Sequence, residues 1–281
     1  MKVSAIIITH NRPQLLKRAV ESVLSQTYKD IECIVVDDAS DVPAKEVEEM
    51  TRVRYVYLPR MESRGGNYAR NKGVEVASGE YVAFLDDDDC WLPTKIEKQV
   101  DLITTKGCGL VYTRRFDEHI KNDGSAEIEE VEYPPVDMQG DLTRKILYAI
   151  PATTSCLLLT RAFFYEAGMF DENLKYWQEY DLLIRAAQKT PFYMVDEPLI
   201  IYRVDKHEKA RLSNKYYEWK AAVRYVYRKH RQLYARLSIN EKLKVRLLFF
   251  NDAKERARNG GLRWQHFKNA AIYRLISYYV G

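Results

Sequence analysis

Asp86-Asp87-Asp88-Asp89 is the stretch of this sequence that first demands a chemical explanation. Two unit charges about 4 Å apart repel by about 4 kcal/mol at an effective dielectric of about 20. Four adjacent carboxylates are therefore costly unless a cation or solvent offsets them. A divalent ion with oxygen ligands, Mg²⁺ or Mn²⁺, is the natural partner, and such ions usually complete their shell with water and substrate phosphates. The competing explanation is a solvated acidic loop. Here the run directly follows Tyr81-Val82-Ala83-Phe84-Leu85, an apolar stretch of strand character, which favours a built site.

Three other clusters carry hydrogen-bonding chemistry. Thr9-His10-Asn11-Arg12 follows the apolar run 3–8, and Asp37-Asp38-Ala39-Ser40 follows the run 31–36. Gly65-Gly66-Asn67 precedes Ala69-Arg70-Asn71 and opens a helical pattern, a setting that suits either a turn or a phosphate or ribose. Each is weak alone, since paired acids cap turns and an Asn caps helices.

The elements that must position them alternate. Strands are expected at 3–8, 31–36, 53–58 and 81–85, each a short run rich in β-branched or aromatic residues. Helices are expected between and after them: one capped by Asn11 with Pro13 in its first turn, then 44–51, 68–77 and 93–104. Such alternation implies parallel crossovers, a sheet covered on both faces, and ligands bound beyond the carboxyl ends of the strands. The polar clusters sit at those ends. Residues 113–140 read as a hairpin or mobile loop, with Asn122-Asp123-Gly124 as a turn and Pro134-Pro135 as a breaker. A strand at 156–159, helices at 162–167 and 180–187, and two late strands at 192–195 and 199–202 follow.

Composition excludes several classes. At 281 residues the chain can bury a sizeable core, and 46% hydrophobic content is too apolar for disorder. No run approaches the ~18 apolar residues of a membrane span, and the apolar start is broken at once by His10, Asn11 and Arg12, unlike a signal peptide. Cys33, Cys90, Cys108 and Cys156 are scattered, which argues against a disulfide scaffold or zinc site and fits a reducing cytoplasm. Charge is divided: residues 205–281 hold 19 Lys and Arg against 6 Asp and Glu, whereas 1–204 hold 25 against 34. A basic tail on an acidic body suggests an anionic partner, a membrane surface or a nucleic acid.

In order and placement these segments resemble family 2 glycosyltransferases of the GT-A fold. The matching stretches are 3–12, Ser25-Gln26-Thr27-Tyr28, Ile34 to Ser40, Ala69 to Gly73, Ser78 to Asp89, and Trp91-Leu92-Pro93. The likeness runs to about residue 203. It implies an α/β, mainly parallel mixed sheet flanked by helices and a catalytic domain at 1–204, and it does not cover 205–281, which reads from its own residues as a helical extension. It also implies a nucleotide-sugar donor, usually a UDP-sugar, an inverting transfer, and a glycan or lipid-linked acceptor of bacterial surface polysaccharide synthesis. By that likeness Thr9, Asn11, Arg12 and Asp38 line the base pocket and Arg70 lies beside base and ribose. Asp86, with Asp87, faces ribose or metal-bound water, and Asp88 closes an Asp-x-Asp motif that holds Mn²⁺ or Mg²⁺ against the diphosphate. An inverting transfer needs a base for the acceptor hydroxyl. The family's acidic pair aligns with Gln178-Glu179, which departs from the usual Glu-Asp, so Glu179 is the expected base and Asp181 the fallback. Both acids would also suit a helix N-terminus for structural reasons alone. Arg203 and His207 match a late segment loosely and are expected near diphosphate or metal.

Beyond the likeness, 214–237 mixes aromatic and basic residues, Ser238 and Glu241 form a capping-box pattern, Gly260-Gly261 ends that helix, and 262–279 is a last helix. The expectation is a helical extension that docks on the body and meets an anionic membrane, which places the protein in the cytoplasm, peripheral on the membrane's inner face. The alternative is a helical face packed on the body with its charges solvated. Other functions fare worse. A sugar nucleotidyltransferase should carry a Gly-rich basic loop after the first strand, where Thr9-His10-Asn11-Arg12 stands. A nucleic-acid-binding protein leaves the acidic body without purpose, so no nucleic-acid partner is expected. An inactive transferase-like scaffold keeps some support from the Gln178-Glu179 substitution.

Overall fold

A computed structural model describes residues 1–131, 137–205 and 215–280. Strands β1 (Val3–Thr9), β2 (Ile31–Asp38), β3 (Val53–Leu58) and β4 (Tyr81–Asp86) alternate with helices α1 (Pro13–Leu24), α2 (Lys45–Glu48) and α3 (Gly66–Glu75). Then come β5 (Cys90–Trp91), α4 (Lys95–Lys106), β6 (Leu110–Ile120), β7 (Ala126–Glu130), β8 (Leu158–Thr160), α5 (Arg161–Glu166), α6 (Gln178–Ala187) and β9 (Phe192–Asp205). Helices α7 (Tyr216–Lys229), α8 (Arg231–Ala235), α9 (Ile239–Asn259) and α10 (Arg263–Val280) form the extension. The chain is thus α/β, with one mixed sheet between helices.

The strand order is β3-β2-β1-β4-β8-β6-β9-β5, with β7 hairpinned onto β6. The first four strands are parallel, and β8 joins β4 and β6 antiparallel. β1, β2 and β4 are almost wholly buried, as strands covered by helices on both faces must be. Their register aligns the chemistry: Thr9 stands opposite Asp37, and Ile8 opposite Asp86. Phe84 anchors the underside of this edge through Phe164 and Phe170, at ring separations of 5.3 and 5.1 Å.

Several elements differ from expectation. Asn11 does not cap α1; it sits at φ 57°, and Arg12 occupies the cap position without a side-chain bond. The helix expected at 44–51 keeps only one turn. Residues 110–130 form a hairpin, as the turn signal at Asn122-Asp123-Gly124 indicated, with β6 extending through Ile120; Pro134-Pro135 lie outside the described residues. The strand expected at 156–159 begins later, after a 3-10 turn at Thr154–Cys156. The two late strands are one, β9, whose register against β6 shifts beside Arg114. The aromatic and basic stretch 214–237 folds, from Tyr216, as two helices, α7 and α8, that meet at His230. The Ser238–Glu241 capping box forms in both directions.

The extension shares the core of the body. Tyr216, Trp219, Val226, Tyr234 and Ala257 are buried in the same apolar cluster as the sheet. Among the described residues no helix is long and apolar enough to cross a membrane.

Candidate active site

The carboxyl ends of β1, β2 and β4 bring the predicted groups to one edge. The loops after β1 and β2 are stitched by Asn11: its N–H donates to Ser40 Oγ at 2.7 Å, Nδ2 donates to Asp41 at 3.0 Å, and Oδ1 accepts the Asp41 N–H. Its positive φ makes these bonds possible, a conformation Asn tolerates better than most residues. Asp37 is fully buried and structural, accepting from Tyr55 Oη at 2.5 Å and from the Ser40 N–H. Asp38 differs. It is half-buried, and its Oδ1 has no hydrogen-bond partner among the described residues. A buried carboxylate oxygen left open is costly, and a donor such as a base N–H would satisfy it.

The acidic run divides into four roles. Asp86 pairs with Arg70 Nη2 at 2.5 Å, and Arg70 is otherwise buried against Asn67 and the Phe170 ring. Asp87 is buried, accepting from Thr9 Oγ1 at 2.7 Å and from Arg12 Nη1 at 3.1 Å. Burial and the neighbouring Asp88 charge push its carboxyl up to about 6, against the pull of Arg12. Asp88 is more open and meets Arg12 Nη1 at 3.4 Å. Asp89 is fully buried, accepting from Ser155 Oγ at 2.6 Å and the Arg203 N–H at 3.1 Å. Burial, then Asp88 and Asp86, hold its carboxyl well above the usual range. Burial is the largest cause of both shifts and the crowded carboxylates add to it, a strain that positive charge at this edge would relieve.

That observation fits a divalent ion at Asp88. Among the described residues no three His, Cys, Asp or Glu side chains converge to hold a metal alone. One half-buried carboxylate, shared with Arg12 and joined by water and phosphate oxygens, is a donor set such an ion accepts.

Helix α3 organises both sides of the site. Gly66 lets it approach β1, since a Cβ there would lie 2.9 Å from Ile8 Cδ1 and 3.2 Å from Arg70 Nη1. Arg70 reaches Asp86, while Asn67 donates to the carbonyls of Asp171 and Leu174, and Asn71 exchanges hydrogen bonds with the Phe170 backbone. These bonds fix the loop that leads into α6. Gln26, another of the matching segments, ties the end of α1 to the Leu92 carbonyl and the Ile96 N–H.

The first turn of α6 separates the two candidate bases. Glu179 is half-buried, and no other side chain binds its carboxylate among the described residues. Burial pushes that carboxyl above its ordinary value; Arg70 pulls it down and Asp86 pushes it up, which places it within electrostatic reach of the donor edge. Asp181 is at 0% exposure and is held by His230 Nε2 at 2.7 Å, Lys229 Nζ at 3.0 Å and Arg185 Nη2 at 2.9 Å. Burial alone would raise its carboxyl, but the His230 hydrogen bond and the Arg185 and Lys229 charges bring it down to about 2. It has no face open to a substrate, so it is a structural anchor rather than a base.

Three expected placements change in detail. Thr9 and Arg12 bind the acidic run instead of lining an open base pocket. Arg203 reaches the cluster through its backbone, with its side chain on Asp205 at 2.7 Å. His207 lies outside the described residues. Sequence reasoning missed Ser155, which bridges Asp89 and the Asp86 N–H, and Trp177, which precedes Glu179. Trp177 sits at φ 57°, donates Nε1 to Asp252 at 2.7 Å and stacks on Phe249 at 5.3 Å. The tryptophan was visible in the motif, but its partners lie some 70 residues away.

Comparison with known proteins agrees with this geometry. The Glycosyl transferase family 2 model matches residues 4–167. An uncharacterised glycosyltransferase of Rickettsia conorii is 32% identical over 221 residues, covering 71% of this chain and 33% of that protein. The chain spans 64% of the length of two further Rickettsia relatives. The Escherichia coli UDP-Glc:alpha-D-GlcNAc-diphosphoundecaprenol beta-1,3-glucosyltransferase WfaP is 37% identical over 117 residues, covering 41% of this chain and 47% of its own. The crystal structure of S. aureus TarS 1-349 in complex with UDP superposes with a TM-score of 0.60 at 16% identity, covering 98% of this chain and 90% of that one. At that identity the likeness is one of fold.

Proposed function

This chain belongs to the Glycosyl transferase family 2, and from that membership we propose that it transfers a sugar from a UDP-sugar to an acceptor hydroxyl during cell-surface polysaccharide synthesis, with inversion at the anomeric carbon. The observation that carries the proposal is the meeting of two acidic groups. Asp86 and Asp88 stand at the end of β4, and Glu179, whose carboxylate no other side chain among the described residues binds, stands within electrostatic reach of Asp86 and Arg70. The relatives named for polysaccharide work support the setting: WfaP, and a putative teichuronic acid biosynthesis glycosyltransferase of Bacillus subtilis that is 37% identical over 116 residues.

In this reading the open Asp38 oxygen accepts from the uracil ring, and the Asn11 stitch holds that pocket. Asp88 holds a Mn²⁺ or Mg²⁺ ion, which when bound would neutralise charge on the departing diphosphate. Arg12, paired with Asp88, would flank the ion held there, and Arg70 keeps Asp86 oriented for the ribose. Glu179 accepts the acceptor's hydroxyl proton as the hydroxyl attacks in line. Its raised pKa suits a base that must hold the proton it takes. A lipid-linked saccharide is the acceptor class most consistent with the family setting.

Calorimetric titration of UDP with and without Mn²⁺, on the wild type and on Asp88→Asn, tests the donor site. Metal-dependent binding weakened about tenfold or more by the substitution, about 1.4 kcal/mol, is expected. Absence of UDP binding under every metal condition would overturn the UDP-sugar reading and leave another nucleotide donor or an inactive scaffold.

A further inference from the structure

Helix α10 is amphipathic in an inverted sense. It buries Asn269 and Ile276, and Asn269 Nδ2 donates to Tyr216 Oη at 3.2 Å. It exposes its aromatics: Trp264 is 73% exposed, Tyr278 is 83%, and Phe267 and Leu275 are also open. At about 100° per residue, Trp264, Phe267, Ala271, Leu275 and Tyr278 fall within an arc of about 80°. Lys268 lies on one flank of that arc, Arg263 and Arg274 on the other. The stripe runs about 21 Å along the helix. An exposed apolar strip of this length on one helix marks a surface that something covers.

Charge decides between occupants. Residues 215–280 carry 16 Lys and Arg against 4 Asp and Glu, and no acid occurs between Arg256 and Val280. A second copy of the chain would bring two such faces together, and their repulsion opposes that contact. An anionic bilayer offers the complementary charge together with an apolar phase for the aromatics. Next to the stripe, α7, α9 and α10 enclose a cleft of about 1120 Å³. Trp219, Phe249 and Trp264 line it beside Arg224, Arg246 and Lys268, with no carboxylate among the lining residues. Aromatic walls set with cations repeat the chemistry of the stripe.

We infer that α10 is a membrane-contact helix. It lies in the interface of an anionic phospholipid bilayer, with Trp264, Phe267, Leu275 and Tyr278 inserted among the acyl chains and Arg263, Lys268 and Arg274 at the phosphates. Helices of this pattern lie in the interfacial plane and gain from both terms. The inference rests on the surface of α10 and is independent of the transfer reaction.

The test is sedimentation of the full chain with vesicles of phosphatidylglycerol and phosphatidylcholine, against vesicles of phosphatidylcholine alone, at low and high ionic strength. Binding to the anionic vesicles that weakens with salt is expected. Trp264→Ser with Phe267→Ser, and separately Lys268→Glu with Arg274→Glu, should each lower partitioning about tenfold or more. These side chains are at the surface, and circular dichroism and UDP titration of the same variants establish that they remain folded with the donor site intact. Anionic-vesicle binding unchanged in both double variants overturns the inference. So does equal binding to neutral vesicles. A dimer seen by sedimentation velocity without vesicles, and lost in Trp264→Ser with Phe267→Ser, assigns the stripe to a second copy and also overturns it.

Discussion

Asp181→Asn should unfold the protein more readily while leaving its chemistry nearly intact. The carboxylate sits at 0% exposure among His230, Lys229 and Arg185. The fall of its pKa from 3.8 to about 2, at about 1.4 kcal/mol for each tenfold in proton affinity, corresponds to about 2 kcal/mol. The substitution also takes a carboxylate from His230, Lys229 and Arg185, although Lys229 keeps Asp171 and Arg185 keeps the Ala167 and Met169 carbonyls, which places the cost at the low end, about 3 kcal/mol, of a broken buried pair. A loss of about 3 kcal/mol lowers Tm by about 6–12 °C in a chain of this size. The sign with pH follows from the depressed value. The stabilisation is fully present above the ordinary 3.8 and is lost as pH falls through about 2. Wild type and variant should therefore differ by a constant amount from pH 5 to 8 and converge below pH 3.8 in calorimetric melts. Glu179→Gln should do the opposite. It removes an unpartnered carboxylate, so Tm barely moves, while kcat falls by about 10²–10⁴. An Asp181→Asn enzyme that melts normally but loses activity a hundredfold, beside an active Glu179→Gln, would refute this assignment of roles.

Gly73→Ala should destabilise the protein by about 1–3 kcal/mol in urea titrations, because its Cβ would lie 2.5 Å from Ile6 Cγ2 and 3.3 Å from Val36 Cγ2. Lys95→Met should raise thermal stability at pH 7 by about 1 kcal/mol or more. Burial pulls that ammonium down to about 7, although it donates to Gln99 at 2.7 Å and sits 4.1 Å from the Trp91 ring. The folded wild type sheds this proton before the unfolded chain does. Its stability therefore rises from pH 7 toward 10.5, a slope that Lys95→Met should lack. Ser238→Ala removes the side-chain arm of the α9 capping box, leaving the residue 238 N–H to donate to Glu241, and should cost about 1 kcal/mol, read from urea midpoints.

The strand-end half of the candidate site was legible because its signals are local. Buried parallel strands read as short β-branched runs, and the polar groups follow each run directly. The Asn11 role was not legible, since cap and loop stitch look alike until Ser40 and Asp41 are placed beside it. Nor could the sequence rank Asp37 against Asp38, because the difference lies in Tyr55 and Ser40 reaching only one of them. The strand β5 is two residues long and carries no periodicity. β9 read as two strands because Asp196-Glu197-Pro198 interrupts the apolar pattern where the register shifts. Glu179 and Asp181 look equivalent in the chain; only Lys229 and His230, nearly 50 residues on, tell them apart.

Trp177 gives the extension a consequence for inheritance. The family model's match ends at residue 167, yet the turn bearing Glu179 lies past it and is clamped by Asp252, Phe249, Lys229 and His230. The edge of that match is therefore not an edge of folding. A chimaera that joins residues 1–204 to the tail of a relative inherits an orphaned tryptophan and a buried aspartate that keeps Arg185 but loses Lys229 and His230. Only tails that supply those four partners can be exchanged, so body and extension must diverge together as one unit.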